Sequence, residues 1–384
     1  MTSRWSSASH ADDVTALEQA TALFATIDAA GSAAPSGGSF DPSVFTAIRD
    51  AGLYGISVPR EVGGVDLPLV EALDVWAEVA RADASIGWCL FASDVALAYF
   101  GAYLGDDGAD AVFGGGLPLM GGQFAPNGTA EQDGDDWIVT GSYQFGSGIT
   151  IADFGGAGFM ATPADGGDAA YLFGCYPASE IEPRGNWDVI GLQSTQSIDY
   201  GLNGVRVPDN QTFDFFASVV HRGTAKHHLG VLPLTAVGHA AWALGVTRRM
   251  LDELRAIAAG RVRMGAATSL ADSEHFLISY ARLESRYEAG RAWVREVCEQ
   301  AEAECAGSGA ALSVLTANRV RQACSHVKQS GADIAREAYL LSGTAALREG
   351  PLQRCFRDLH AGALHFFGSN AASVDYARSL LELT

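Results

Sequence analysis

Two histidines near the C-terminus, His360 and His365, offer the most chemistry in this sequence. A neutral imidazole can take or give a proton near pH 7. The two are five residues apart, which on a helix turns them about 140° from each other, so they are not a natural metal pair. His227 and His228 are adjacent and do not share a helix face, and no Cys, Asp or Glu ligand set accompanies them. The six cysteines, Cys89, Cys175, Cys298, Cys305, Cys324 and Cys355, show no C-x-x-C spacing. The sequence therefore predicts no metal site and no redox dithiol. Ser147 lies between Gly146 and Gly148. Serine suits such a turn, and a turn also presents a hydroxyl to a ligand. Arg354, Arg357 and Asp358 read as a structural ion-pair cluster beside an apolar helix.

Three blocks must position these groups. Residues 1–116 read as helical. A helical period runs through Val14, Leu17, Ala20, Phe24 and Ile27, and Asp41-Pro42 reads as a helix N-cap and first-turn proline. Further helices are predicted over 67–82 and 84–104. Residues 117–216 read as a β domain. After the Gly-rich GGGLPLMGGQFAPNG come DWIVTGSYQF, FGGAGFMAT, AAYLFGCYP and SIDYGLNGVRVP, with turn dipeptides at Asp133-Gly134, Asp165-Gly166 and Asn203-Gly204. Residues 217–384 return to helix. Apolar positions recur at spacings of three and four through 275–305 and 312–341. With the apolar segment 228–259 and a C-terminal helix, they predict a four-helix bundle.

Composition narrows the class. The chain has 384 residues, 48% hydrophobic and 18% charged, with a net charge of −20. That suits a folded protein of two or three domains. Nucleic acid is a poor partner, because binding phosphates needs Lys/Arg clusters and none is visible. Unpatterned cysteines and a start without an apolar signal core predict reduced thiols in the cytoplasm. His227 to Thr247 carries no formal charge over near-membrane length. Pro233, three histidines and polar breaks favour a buried helix, so no membrane partner is expected.

Four blocks then carry a resemblance: GLYGISVPREVGG (52–64), WIVTGSYQFGSG (137–148), GVRVP (204–208) and QRCFRDLHAGALHFFGS (353–369). In this order and spacing the chain resembles the acyl-CoA dehydrogenase superfamily. The resemblance implies an α+β fold: an N-terminal helical domain, a middle β-barrel or sandwich, and a C-terminal four-helix bundle. YQFGSG, GNWDVIGLQSTQS (185–197) and RDLHAGALH (357–365) look most like the two-component flavin monooxygenase branch. Its members take reduced flavin from a separate reductase and form a flavin hydroperoxide with oxygen.

A chemical argument favours that branch. A thioester α-proton is weakly acidic, so a dehydrogenase needs a positioned carboxylate. The family's glutamate stands after the R-D pair or near the start of the first bundle helix. Residues 350–381 contain no glutamate, and Leu234 and Thr235 stand at the alternative position. His365 and Phe366 occupy the C-terminal location. By resemblance His365 lies over the flavin, where it would deprotonate substrate or stabilise the hydroperoxide. Ser147 would donate a hydrogen bond near the flavin N5 edge. His360 is a further catalytic candidate.

The resemblance also implies that Phe145 stacks near the isoalloxazine and that Gln123 and Phe124 approach its pyrimidine ring. Arg261 would meet a flavin diphosphate, and Thr344, in SGTAAL (342–347), a neighbouring subunit's cofactor. Trp88, Asp94, His228 and Phe366 are candidate pocket walls. The cofactor is FAD or FMN, reduced by a partner, and a homotetramer is expected. Departures at Gln193, Gln196, Ser93 and Asp94 leave the substrate open. The leading expectation is a monooxygenase acting on an aromatic or polycyclic small molecule. An acyl-CoA dehydrogenase with an atypical base, and a non-catalytic flavin- or ligand-binding homologue, are the alternatives.

Overall fold

The computed structural model describes residues 14–35, 37–260 and 269–383. The N-terminal part is helical: α1 (Ala16–Ala22), α2 (Phe24–Ala33), α3 (Ser43–Asp50), α4 (Leu69–Ala82), α5 (Ala84–Tyr103) and α6 (Asp106–Phe113). Local chemistry starts these helices. Thr15 and Glu18 close a capping box on α1. Asp41 accepts from the Ser43 N–H at 2.9 Å at the start of α3. Asp83 accepts from Ser85 and Ile86 N–H groups at 3.0 and 3.1 Å and so caps α5. α5 is long and apolar enough to cross a membrane by length and composition, but nearly all of it is buried against other elements. Packing one such side chain as Phe91 contributes about 1.5–3 kcal/mol.

Seven strands follow: β1 (Met120–Asp133), β2 (Asp136–Tyr143), β3 (Phe154–Thr162), β4 (Ala170–Pro177), β5 (Glu182–Gly185), β6 (Asp199–Pro208) and β7 (Thr212–Asp214). They form one mixed sheet in the order β5-β6-β2-β1-β3-β4-β7. Among the described residues only the β1–β3 pairing is parallel. The sheet curls around its own core. Gly174 of β4 lies against Val207 of β6 although three strands separate them in the order. Tyr143, Phe159, Tyr176 and Tyr200 fill the inside.

The Gly-rich stretch at the domain boundary becomes most of β1, the longest strand. Its glycines serve close approach rather than turns. Pairing with β3 is interrupted between Gln123 and Gly128, where residues 124–127 bulge outward opposite Gly158. A Cβ on Gly158 would stand 1.7 Å from the Phe124 carbonyl oxygen. The bulge therefore depends on that glycine.

The C-terminal helices are α7 (Val231–Gly260), α8 (Glu274–Ser308), α9 (Val314–Ser342), α10 (Pro351–Ala363) and α11 (Ala371–Leu380). The uncharged run from His227 becomes the first half of α7, buried on nearly every side. α7 packs on α9, α4, α10 and α5. Arg248 grips Glu284 with two hydrogen bonds of 2.7 and 2.8 Å, tying α7 to α8.

Candidate functional site

Four segments converge where the sheet meets the bundle: α5, the turn after β2, the loop before β6, and the turn after α10. The turn after β2 needs unusual backbone. Phe145 has φ of 60° and Gly148 φ of 71°. The Ser147 N–H bonds back to the Phe145 carbonyl at 2.8 Å, and Ser147 bridges Gly122 of β1. This geometry turns Phe145 outward, 57% exposed, with its ring 6.2 Å from Trp187.

From α5, Trp88 is the hub. Its Nε1–H donates to Ser147 Oγ at 3.0 Å. Its ring meets His365 at 5.4 Å, His239 at 4.8 Å, Trp242 at 4.9 Å and Phe91 at 5.5 Å, each edge to face. Ser147 Oγ lies 2.8 Å from Ser197 Oγ, which lies 2.7 Å from Thr195 Oγ1.

From the bundle, His365 follows the end of α10 in an extended conformation. Its Nδ1 accepts from the Phe367 N–H at 3.4 Å, which leaves the proton of the neutral ring on Nε2. His239 of α7, 3% exposed, lies 4.3 Å from His365 between ring centroids. Phe367 touches both rings and also Phe124, at 6.3 Å. Phe124 thereby joins the β1 bulge to the histidine turn.

Behind them stands Lys328 of α9, 1% exposed. Its Nζ lies 3.2 Å from His239 Nδ1 and over the faces of Trp88 and Trp242, at 5.1 and 5.7 Å. Among the described residues no carboxylate pairs with it. Ring faces return about 0.5–2 kcal/mol, less than the several kcal/mol that desolvating an ammonium costs. Desolvation wins, and burial brings the Lys328 ammonium down to about 8. Burial first and then the Lys328 charge hold His239 and His365 well below the usual imidazole range. At neutral pH the site therefore combines two neutral imidazoles with one buried cation.

The other expected residues fall in several places. Phe366 is exposed beside His365, its ring against Phe367 at 5.3 Å. Gln123 is half-buried and accepts from Asn127 Nδ2 at 3.1 Å. His360 belongs to another cluster: its ring packs tilted against Phe356 at 4.3 Å and Nδ1 meets the Phe356 carbonyl at 2.7 Å. Asp94 is not a pocket wall. It is fully buried, accepting from Trp76 Nε1 at 3.0 Å and Ser57 N–H at 3.2 Å, because its face of α5 packs into the helical core. His228 is half-buried in the turn Ala225–Leu229. Thr344 is exposed on the turn Gly343–Leu347. Arg261 lies outside the described residues.

Sequence reasoning passed over His239, Lys328, Thr195 and Ser197 as site residues. One signal was present for Lys328. It stands four residues after the buried Cys324 and three before the buried Gly331 on α9, where a lysine would not be expected on an apolar face. His239 lay inside the uncharged run that reads simply as core.

The acyl-CoA dehydrogenase N-terminal domain family matches residues 14–108 and the acyl-CoA dehydrogenase C-terminal domain family residues 237–370. The chain is 28% identical to the indole-3-acetate monooxygenase of Pseudomonas putida, over 84% of this chain and 82% of that protein. It is 24% identical to the oxygenase component of p-hydroxyphenylacetate 3-hydroxylase of Acinetobacter baumannii, over 83% and 78%. The structure of XiaF from Streptomyces sp., in complex with FADH2 and glycerol, superposes with a TM-score of 0.86 at 19% identity, covering 96% of this chain and 95% of that one. With domain matches flanking a sheet of the expected kind, the chain belongs to the acyl-CoA dehydrogenase superfamily.

Proposed function

We propose that this chain is the oxygenase component of a two-component flavin-dependent monooxygenase acting on an aromatic small molecule. The observation that carries the reading is His365. Its neutral ring packs against Trp88, which is bonded to Ser147, and among the described residues the contacts joining these groups include no carboxylate. The relatives' names, indole-3-acetate monooxygenase and p-hydroxyphenylacetate 3-hydroxylase, support an aromatic substrate.

The residues present fit a flavin. Phe145 and Trp187 offer an outward aromatic corner beside the Ser147 hydroxyl. Gly122, at φ of 129°, keeps the neighbouring backbone free of a side chain. A Cβ there would strike Gly156 backbone at 2.2 Å. When bound, reduced flavin would supply the electrons that activate oxygen. Phe145 would stack on the ring system, Ser147 would hold its central edge, and Gln123 and Phe124 would border it. With Nδ1 held by the Phe367 N–H, His365 would present its Nε2–H to the ligand as a hydrogen-bond donor. Trp88, Phe366 and Phe367 would exclude water. FAD and FMN both suit this arrangement, and a separate reductase would deliver the reduced form.

The six cysteines are free and buried, which suits a reducing cytoplasm. Exposed Leu340, Leu347, Val374 and Leu380 on the bundle suit assembly into a homotetramer.

The test is anaerobic addition of reduced flavin, then oxygen and a panel of aromatic acids and phenols. Oxygen-dependent hydroxylated product is the expected result. Dye reduction by an acyl-CoA, without hydroxylation, would overturn the reading in favour of α,β-desaturation.

A further inference from the structure

We infer that Ser197 and Thr195 make the flavin site select the reduced cofactor, by fixing which way the Ser147 hydroxyl points. The inference rests on the flavin reading above and goes beyond it.

The chain of hydroxyls has one consistent direction. A carbonyl oxygen only accepts, and Thr195 Oγ1 lies 2.8 Å from the Leu192 carbonyl oxygen, so the Thr195 proton is committed there. Ser197 Oγ, 2.7 Å from Thr195 Oγ1, must then donate to it. Ser147 Oγ, 2.8 Å from Ser197 Oγ, must in turn donate to Ser197. On the other side the indole Nε1–H of Trp88 can only donate, and it does so to Ser147. Ser147 thus spends its single proton and one lone pair inside the protein. What remains for a ligand is one lone pair, so Ser147 accepts and does not donate. This reverses the donor role that the resemblance implies for it.

Three features keep the direction from flipping. Thr195 and Ser197 are both 2% exposed, so bulk water has little access to their hydroxyls. Trp88 is held by Phe91, His239, Trp242 and His365 on its ring and by Lys328 over its face. The loop bearing Thr195 is tied to α10, where the Leu192 N–H donates to Asp358 Oδ1 at 2.6 Å.

The consequence concerns redox state. The central N5 nitrogen of an oxidised isoalloxazine is an acceptor, and in the reduced ring it bears a proton and donates. An acceptor-only Ser147 pairs with the reduced ring and sets two lone pairs face to face with the oxidised one. Leaving one such polar contact unmade costs about tenfold in affinity or more. A site built this way retains the reduced flavin a partner delivers and releases the oxidised product.

The experiment measures dissociation constants of the full-length protein for oxidised and reduced flavin, the latter under anaerobic conditions. Wild type should favour the reduced form. Ser197→Ala frees the Ser147 proton, so oxidised binding should tighten relative to reduced and the ratio should fall by about tenfold. By linkage the two-electron midpoint potential of bound flavin should drop by about 30 mV per tenfold change. Thr195→Val should act in the same direction, and Thr195→Ser should restore the wild-type ratio. Ser197→Ala with an unchanged ratio, or with both forms weakened equally, overturns the relay while flavin binding stands. Binding of neither form by wild type overturns the relay together with the flavin reading. Melting temperatures of the three variants check that each is folded.

Discussion

The Asp358 carboxylate accepts a 2.6 Å hydrogen bond from the Leu192 backbone N–H, and this one bond ties the helix that leads into His365 to the loop that carries Thr195 and Ser197. Gly191 makes the approach feasible, since a Cβ there would stand 2.3 Å from the Arg357 carbonyl oxygen. Burial, ahead of all other influences, pushes the Asp358 carboxyl up to about 7. The folded protein therefore holds a proton that the unfolded chain has already released between about pH 4 and 7. That group contributes a fall in stability as pH rises through the window. Asp358→Asn should remove this part of the slope, read as a flatter dependence of Tm on pH than wild type. Asp358→Ala, which leaves a buried N–H without its acceptor, should cost about 1–3 kcal/mol at pH 5 in urea unfolding.

Lys328→Met should stabilise the protein while altering its chemistry. The folded ammonium sits at about 8, below its ordinary 10.5. Below pH 8 both states are protonated and the folded state bears the full burial penalty. Between pH 8 and 10.5 the native state has lost the proton, and wild-type stability recovers as pH rises. The variant's advantage should therefore be ~1–3 kcal/mol at pH 7 and shrink above pH 8. A destabilised variant at pH 7 would contradict this account of the buried charge.

The same substitution should move the acid limb of the pH–rate profile. Lys328 is one of the causes that hold His239 and His365 below the usual imidazole range. Wild type should keep its activity as pH falls through 6.5. Without the neighbouring charge both imidazoles become more basic, and the limb should shift to higher pH. Initial rates from pH 5 to 8 for both proteins provide the comparison.

His365→Ala should reduce turnover by about 10²–10⁴-fold, the range for a positioned acid–base group. Flavin affinity should change little, because Ser147, Phe145 and Trp187 remain. Equal turnover in the variant, with product verified chromatographically, would remove His365 from the mechanism.

Gly158→Ala should damage the site from a distance. The new methyl would meet the Phe124 and Ala125 carbonyl oxygens at 1.7 and 2.8 Å, both backbone atoms that cannot swing aside. The bulge of residues 124–127 must shift, at about 1–3 kcal/mol. Weaker flavin binding should accompany lower stability in denaturant unfolding.

The helical, β, helical order was legible because each period is local. Spacings of three and four marked α8 and α9, and turn dipeptides punctuated the strands. β1 was harder to read, since its Gly-rich start carries the composition of a loop and only pairing with β3 makes it a strand. His365, Ser147 and Phe145 could be named only as candidates, through short motifs and, for His365, the missing glutamates. Asp94 is a pocket candidate only by the resemblance, which puts a histidine in this helix where Ser93 and Asp94 stand; in the fold its Oδ2 accepts from Trp76 and Ser57 inside the core.

Sequence by itself thus determined the element types and their order, and nominated candidate residues for the site. Tertiary structure alone decided what stands behind them. Lys328 meets His239 across 89 residues, and Trp88 meets Ser147 across 59. A helical period tells which face of α9 is buried but not what faces it across the bundle. The direction of the Ser147 hydroxyl is less local still. It follows from a carbonyl, two buried hydroxyls and an indole N–H brought together by three segments, and a hydrogen-bond direction exists only once every partner is in place.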